Sequence, residues 1–327
     1  DCRLQDLVYE YGIRPGPRKN FSKHRPVDDT TPMILRNFNK CVLCGRCVTA
    51  CNDIQCNNAI PYPYGRREEK PFPSGWFPLA DYNRCVHCGE GVQACPVGAI
   101  TDRQALGLGR TWETEKVRTT CPYCGVGCQM WLHVKAGRIV RVTGVEDVAP
   151  NKGSLCVKGR YGHDFVHHPD RLTTPLIKEQ RSFREASWDE ALTLVAERLN
   201  AIKSQAGPDS LAFFSSARCS NEENYLMNKL ARGVVGTNNV DHCARLCHAS
   251  TVAGLAVSFG SGAMTNSIEE LERSDVVLVT GSNTTETHPV ISTYLKRGVK
   301  KGKTKLILVE PRRIDLFDHA DVWLRQK

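Results

Sequence analysis

The chain has 327 residues, 41% hydrophobic and 24% charged, an ordinary globular composition that can build a core in two or three domains. Its formal charge is +9, but Lys+Arg against Asp+Glu runs 23 to 17 through Asp170 and 21 to 18 beyond it. Neither half is a basic patch, so nucleic-acid binding has no support, and no run of about 18 apolar residues exists to span a membrane.

Residues 1–34 read as a short helix from Leu4 to Tyr11, then a polar run from Arg14 to Pro32, rich in Pro, Lys and Arg, that behaves as a linker. No export leader is expected at Asp1-Cys2-Arg3. Of the 16 cysteines, 12 fall between Cys41 and Cys156. That density reads as metal ligation in a reducing, cytoplasmic compartment and not as a disulfide scaffold.

Residues 35–112 carry an internal repeat: positions 41–51 and 85–95 are identical at seven of eleven places with an offset of 44. Cys41, Cys44, Cys47 and Cys51 have the spacing C-x2-C-x2-C-x3-C. Three such thiolates cap three corners of an iron–sulfur cube, and the fourth serves the other cluster of a pair. One site therefore takes Cys41, Cys44, Cys47 and Cys95, and the second takes Cys51, Cys85 and Cys88. Gly91 stands where the second site needs its remaining cysteine, so an altered cluster is expected there. Cys56 could supply the missing thiolate; a three-iron form or a non-cysteine ligand are the other options, and a buried core thiol is the bland reading of Cys56. Zinc on paired CxxC motifs is the rival for the segment, but it leaves Cys47, Cys51 and Cys95 unexplained. The loop-like stretch between the repeats carries Pro61, Pro63, Gly65, Pro71, Pro73, Gly75 and Pro78.

Residues 113–172 hold Cys121, Cys124 and Cys128 on a Gly-rich loop and Cys156 after a hairpin turning at Ala136-Gly137, a third cube-shaped site with Lys158 beside it. Residues 173–327 alternate helices and strands. Capping boxes open helices at Ser187 (to about Ile202) and Ser220 (stopping at Gly236), with a strand over Ser210–Ser215. Apolar strands at Asp275–Gly281 and Lys305–Glu310 flank a helix from Pro289 to Val299. This pattern predicts a parallel, doubly wound α/β domain, incomplete in this chain. Loops at the carboxyl ends of its strands suit a nucleotide, and Arg312 and Arg313 could either meet phosphates or lie solvated. Ser250 reads as an N-cap just after Cys247, favouring a thiolate there; Cys219 and Cys243 read as core.

The segment of residues 35–112, down to Pro96, resembles a bacterial two-cluster ferredoxin domain. The Cys121–Cys156 motif, Gly159-Arg-Tyr-Gly162, His167-His-Pro-Asp-Arg-Leu-Thr-Thr-Pro175, Asn239 to His248, Gly262 to Asn266, Gly281-Ser-Asn283, His288-Pro289 and Glu310-Pro-Arg312 resemble the large subunit of the molybdenum or tungsten bis-(pterin guanine dinucleotide) oxidoreductases, most of all a cytoplasmic formate dehydrogenase. The expected fold is thus α+β and α/β: a ferredoxin-like two-cluster domain, a small β-rich 4Fe-4S domain, then the partial α/β domain.

The resemblance implies that Cys247 ligates the metal, that His248 sits beside the substrate, and that Lys158 lies between the third cluster and one pterin. It implies that Asn283, Glu286, Thr287, Glu310, Pro311 and Arg312 hold a guanine dinucleotide. The implied reaction is reversible oxidation of formate to carbon dioxide, with electrons leaving to partner subunits of the flavin/NAD or ferredoxin type. Nitrate reductases of this family follow the cysteine with methionine, whereas histidine follows here. Cys2 resembles the last ligand of a further, His-containing cluster, and the formate-binding arginine is expected beyond Lys327. Two other readings stay open: a metal-free relay subunit like that of complex I, or another oxyanion reductase of the family.

Overall fold

The computed structural model describes residues 2–14, 16, 25, 27–60 and 84–327. The chain divides into two units, residues 1–168 with 266–327, and residues 169–265.

In the first unit the opening helix α1 (Arg3–Glu10) forms where expected. Of the polar run that follows, Val27–Asp28 is not linker but an edge strand, β1, pairing with Arg36 and Asn37 of β2 (Ile34–Asn37). Asp28 is buried and pairs at 3.2 Å with the buried Arg36 of β2, so each charge has its counter-charge in the sheet. Within that run residues 15, 17–24 and 26, and beyond it the Pro-rich stretch from Pro61 to Pro78, lie outside the described residues. Helix α2 (Arg46–Thr49), with a wide π-type turn over Ala50–Ile54, and helix α3 (Glu90–Ala94) carry the two halves of the repeat. β3 (Ile100–Asp102) completes the antiparallel order β1-β2-β3.

β4 (Glu115–Thr120), β5 (Gln129–Lys135) and β6 (Arg138–Gly144) form an antiparallel meander. The β5–β6 turn has positive φ at both Ala136 and Gly137, as the right-handed twist of a two-residue hairpin requires. Helix α4 (Val157–Tyr161) follows directly from Cys156 at its N-cap.

The second unit begins with the hairpin β7 (Leu176–Glu179) and β8 (Ser182–Glu185). Helix α5 (Trp188–Ala206) runs a turn past the expected end because its stop is Gly207. Ser187 caps it by accepting from the Glu190 N–H, but Glu190 turns to Arg184 at 2.5 Å and leaves that box half made. The strand expected from Ser210 is shortened to β9 (Phe213–Ser215), because Pro208 starts a tight helical turn through Ser210. Helix α6 (Asn221–Asn228) has the full Ser220–Glu223 capping box and continues as a π-type helix to Val235, ended by Gly236. β10 (Val240–His242) lies parallel to β9. Two helices follow, α7 (Ala244–Cys247) and α8 (Ala249–Phe259).

The chain then returns to the first unit with β11 (Val276–Thr280), helices α9 (Thr284–Thr287) and α10 (Pro289–Lys300), β12 (Lys305–Val309) and β13 (Val322–Leu324). These strands are parallel, in the order β11-β12-β13, so the expected α/β pattern holds as one three-stranded and one two-stranded parallel sheet. Buried Val279, Leu295, Leu306, Leu308, Ile314 and Leu316 form the core under α10. Leu308 is fully buried there, so Leu308→Ala is expected to cost about 2–5 kcal/mol of stability by chemical denaturation. A loss below about 1 kcal/mol would mean that this core is not the one described. Among the described residues, no helix is long and apolar enough to cross a membrane.

Candidate functional site: three thiol sets and a nucleotide turn

The repeat is repeated in backbone geometry. Leu43 and Gly45 have φ of 57° and 73°, and His87 and Gly89, 44 residues on, have 51° and 73°. These left-handed turns curl the chain around a centre, and the Leu43 N–H donates to Cys41 Sγ at 3.4 Å. Glycine is required at 89 for a second reason: a Cβ there would lie 2.0 Å from Arg160 Cδ.

The thiols sort into the expected sets. Burial pushes Cys47 up to about 11, helped by Cys41, Cys95 and Cys44, so these four lie around one another. Cys41 is raised likewise by burial and then by Cys95 and Cys44. Cys51, Cys85 and Cys88 line a second cavity together with Gly91 and Glu90. Burial takes Cys88 to about 12. Cys51 is also raised by burial, although backbone N–H groups of Ala59 and Ile60 donate to its sulfur.

Cys121, Cys124, Cys128 and Cys156 line a third, apolar cavity with Tyr123, Leu155, Gly159, Pro289 and Val290. Burial, then the neighbouring Cys121, Cys156 and Cys124, lift Cys128 to about 12. A Cβ at Gly159 would sit 3.4 Å from Cys121 Sγ, an ordinary contact, so α4 lies directly against the cavity.

Crowded, desolvated thiols of this kind stay protonated until a strong positive charge is placed among them. Iron–sulfur clusters supply that charge, and the donor sets fit them: all-sulfur, with peptide N–H groups aimed at sulfur. Among the described residues, no three His, Cys, Asp or Glu side chains converge on a single metal-ion position; the thiols instead rim cavities.

Helix α4 joins the second and third sets. Cys156 is its N-cap, and Arg160, one turn on, donates from Nε to the Cys88 carbonyl at 2.7 Å. The same guanidinium donates to Gln93 Oε1 at 3.0 Å and faces the buried Glu90 carboxylate at 3.8 Å. Glu90 in turn accepts from Gln55 Nε2 at 3.0 Å. Burial raises the Glu90 pKa, and Arg160 opposes that rise. Arg160→Ala would leave this carboxylate buried without its counter-charge. The expected cost is about 3–5 kcal/mol by chemical denaturation, and a change within about 0.5 kcal/mol would refute the role. Sequence reading missed Arg160, Glu90, Gln55 and Gln93. The available signal was the place of Arg160 four residues after Cys156, one helical turn from an expected ligand.

The expected nucleotide turn meets the third set through Lys158, whose Nζ donates to the Glu286 carbonyl at 3.4 Å. Lys158 is also among the charges that lower the Cys121 pKa against its burial. Asn283 starts α9, accepting at its side chain from Thr285 Oγ1 at 2.7 Å and at its carbonyl from Thr287 Oγ1 at 3.0 Å. Thr284 Oγ1 is buried with no hydrogen-bond partner, a polar atom that a nucleotide at this turn would satisfy. Glu310 is buried, directly follows β12, and takes Arg312 at 3.4 Å, while Arg325 holds the Pro311 carbonyl at 3.2 Å. Arg313 pairs with Asp318 at 3.0 Å and lies 4.4 Å over the Phe317 ring.

Cys247 and His248 belong to the second unit. Cys247 is exposed and ends α7. The N-cap of the next helix is His248 and not Ser250, because the chain turns at His248 (φ −134°, ψ 17°) and its carbonyl already accepts the Val252 N–H at 2.8 Å. Cys243 is exposed and Cys219 only half-buried, so neither is core. The Cys243 sulfur accepts the Ala217 N–H at 3.3 Å, tying together the loops after β9 and β10.

Comparison with known proteins gives three family matches in tandem: a 4Fe-4S dicluster domain over residues 40–99, a molybdopterin oxidoreductase Fe4S4 domain over 114–168, and molybdopterin oxidoreductase over 171–327. The chain is 37% identical over its whole length to the Bacillus subtilis protein named "Probable oxidoreductase YjgC", of which it covers 37%. It is 48% identical, over 65% of its length, to the F420-dependent formate dehydrogenase subunit alpha of Methanocaldococcus jannaschii, of which it covers 31%. The chain therefore spans about a third of the curated relatives it matches. Among solved structures, acetylene hydratase from Pelobacter acetylenicus aligns over 64% of this chain and 29% of its own, with TM-score 0.55 and 26% identity. With dicluster, Fe4S4 and molybdopterin matches following one another along its length, the chain belongs to the molybdopterin oxidoreductase family.

Proposed function

We propose that the protein containing this chain is a molybdenum- or tungsten-dependent formate dehydrogenase, and that this portion is its electron relay and part of its catalytic site. The observation that carries the reading is the physical continuity of the ligand sets. Cys88 is bonded to Arg160, α4 leads from Arg160 back to Cys156, and Lys158 of the same helix reaches the Asn283–Thr287 turn. A relative named as a formate dehydrogenase subunit alpha, and the Cys247-His248 pair, point to formate as the substrate.

Cys41, Cys44, Cys47 and Cys95 would hold one 4Fe-4S cluster, Cys51, Cys85 and Cys88 an altered one, and Cys121, Cys124, Cys128 and Cys156 a third. Asn283, Glu286, Thr287, Glu310, Pro311 and Arg312, with Lys158, would hold the bis-(pterin guanine dinucleotide), and Cys247 its metal. When bound, these groups supply two-electron chemistry at the metal and one-electron transfer at the clusters. His248, next to the metal-ligating thiolate, positions formate and takes up a proton on its imidazole. Lys158 holds a fixed positive charge between the third thiol set and the nucleotide turn, where it offsets the thiolates' negative charge. Apolar Val290 and Leu155 close water out of the third cavity.

The proposed domain boundaries are 1–34, 35–112, 113–172 and 173–327. The proposed setting is the cytoplasm, with flavin/NAD-type or ferredoxin-type subunits as electron acceptors. The test is formate-dependent reduction of a redox dye by full-length protein. Activity with formate supports the assignment; a protein replete in molybdenum or tungsten that reduces no dye with formate refutes it.

A further inference from the structure

The chain contains 16 cysteines, and every one lies among the described residues. The cavity that takes Cys51, Cys85 and Cys88 has no fourth among its lining residues. Cys56, the nearest unused thiol in sequence, is buried but turned elsewhere: its Sγ donates to the Asp53 carbonyl at 3.7 Å, and the charges that face it most strongly are Lys300, Arg297 and Lys296. Those cations sit on α10, so Cys56 belongs to the packing between the π-type turn and that helix.

Glu90 also lines the cavity, but its carboxylate is held by Gln55 at 3.0 Å and faces Arg160 at 3.8 Å. Taking it as a ligand would break a satisfied buried network.

Gly91 is not demanded by the backbone. Its φ is one that any residue adopts, and a Cβ built there meets only Cys47 Cβ at 3.7 Å and Ile100 Cδ1 at 3.8 Å, both ordinary contacts. A cysteine would fit without strain, so the glycine removes a ligand and satisfies no steric need.

We propose that the second site holds a three-iron, four-sulfide cluster on Cys51, Cys85 and Cys88 alone, with the corner beside Gly91 empty of iron. Three thiolates match three irons one to one, no fourth cysteine lines the cavity, and the carboxylate that does line it is held by Gln55 and Arg160. The assignment rests on reading the thiol sets as iron–sulfur sites.

The experiment uses full-length protein purified without oxygen, as wild type, Gly91→Cys and Cys56→Ala, with iron counting and electron paramagnetic resonance of the oxidised samples. Wild type is expected to show the near-free-electron signal of an oxidised three-iron cluster. Gly91→Cys loses that signal and gains about one iron atom per chain, and Cys56→Ala changes neither. A wild-type second site with four irons and no such signal overturns the assignment, as does a signal that persists in Gly91→Cys or iron lost in Cys56→Ala. Protein without iron at any site would instead refute the iron–sulfur reading itself, and this assignment with it.

Discussion

Cys247→Ala in the full-length protein is expected to lower formate-dependent dye reduction by more than about a hundredfold, since even outer-shell partners of a metal ligand cost about 10–100-fold. The thiol is exposed at the end of α7, next to His248 at the helix junction, and makes no packing contribution that would complicate the reading. The variant should therefore fold, keep its iron and lose turnover. Activity within about twofold of wild type would remove Cys247 from the catalytic assignment.

Cys128→Ala is expected to release about four iron atoms per chain and to lower thermal stability. Cys128 is only 6% exposed, and its sulfur sits in the core of Val126, Met130, Val142, Leu155, Val290 and Tyr294. Because that core includes Val290 and Tyr294 of α10, a cluster in this cavity also fastens the parallel sheet's helix to the β4–β6 meander. A group bound only by the folded chain stabilises it by mass action, so its loss lowers the unfolding midpoint. An unchanged iron count in Cys128→Ala would show that the third set is not a ligand set.

The grouping of the thiols was readable in the sequence because the spacings are short and fixed, and the 44-residue repeat reappears as matching left-handed turns at Leu43, Gly45, His87 and Gly89. The hairpin at Ala136-Gly137 and the stop at Gly236 were readable because positive φ selects particular residues. The N-cap at His248 was not, since it depends on how α7 ends, and no propensity scale favours histidine there. Arg160, Glu90 and Gln55 were equally hidden. Each is an unremarkable polar residue until chain reversals of 70 and 35 positions bring them together. Cys243 looked like core because cysteine usually is; its exposure follows from a short strand ending at His242.

The most direct measurement is elemental analysis of intact, full-length protein for iron, molybdenum, tungsten and zinc. Iron together with roughly one molybdenum or tungsten atom per chain is the predicted composition, one metal for one Cys247. Iron alone would reduce the protein to a relay without a catalytic metal, and zinc in place of iron would contradict the account at its root.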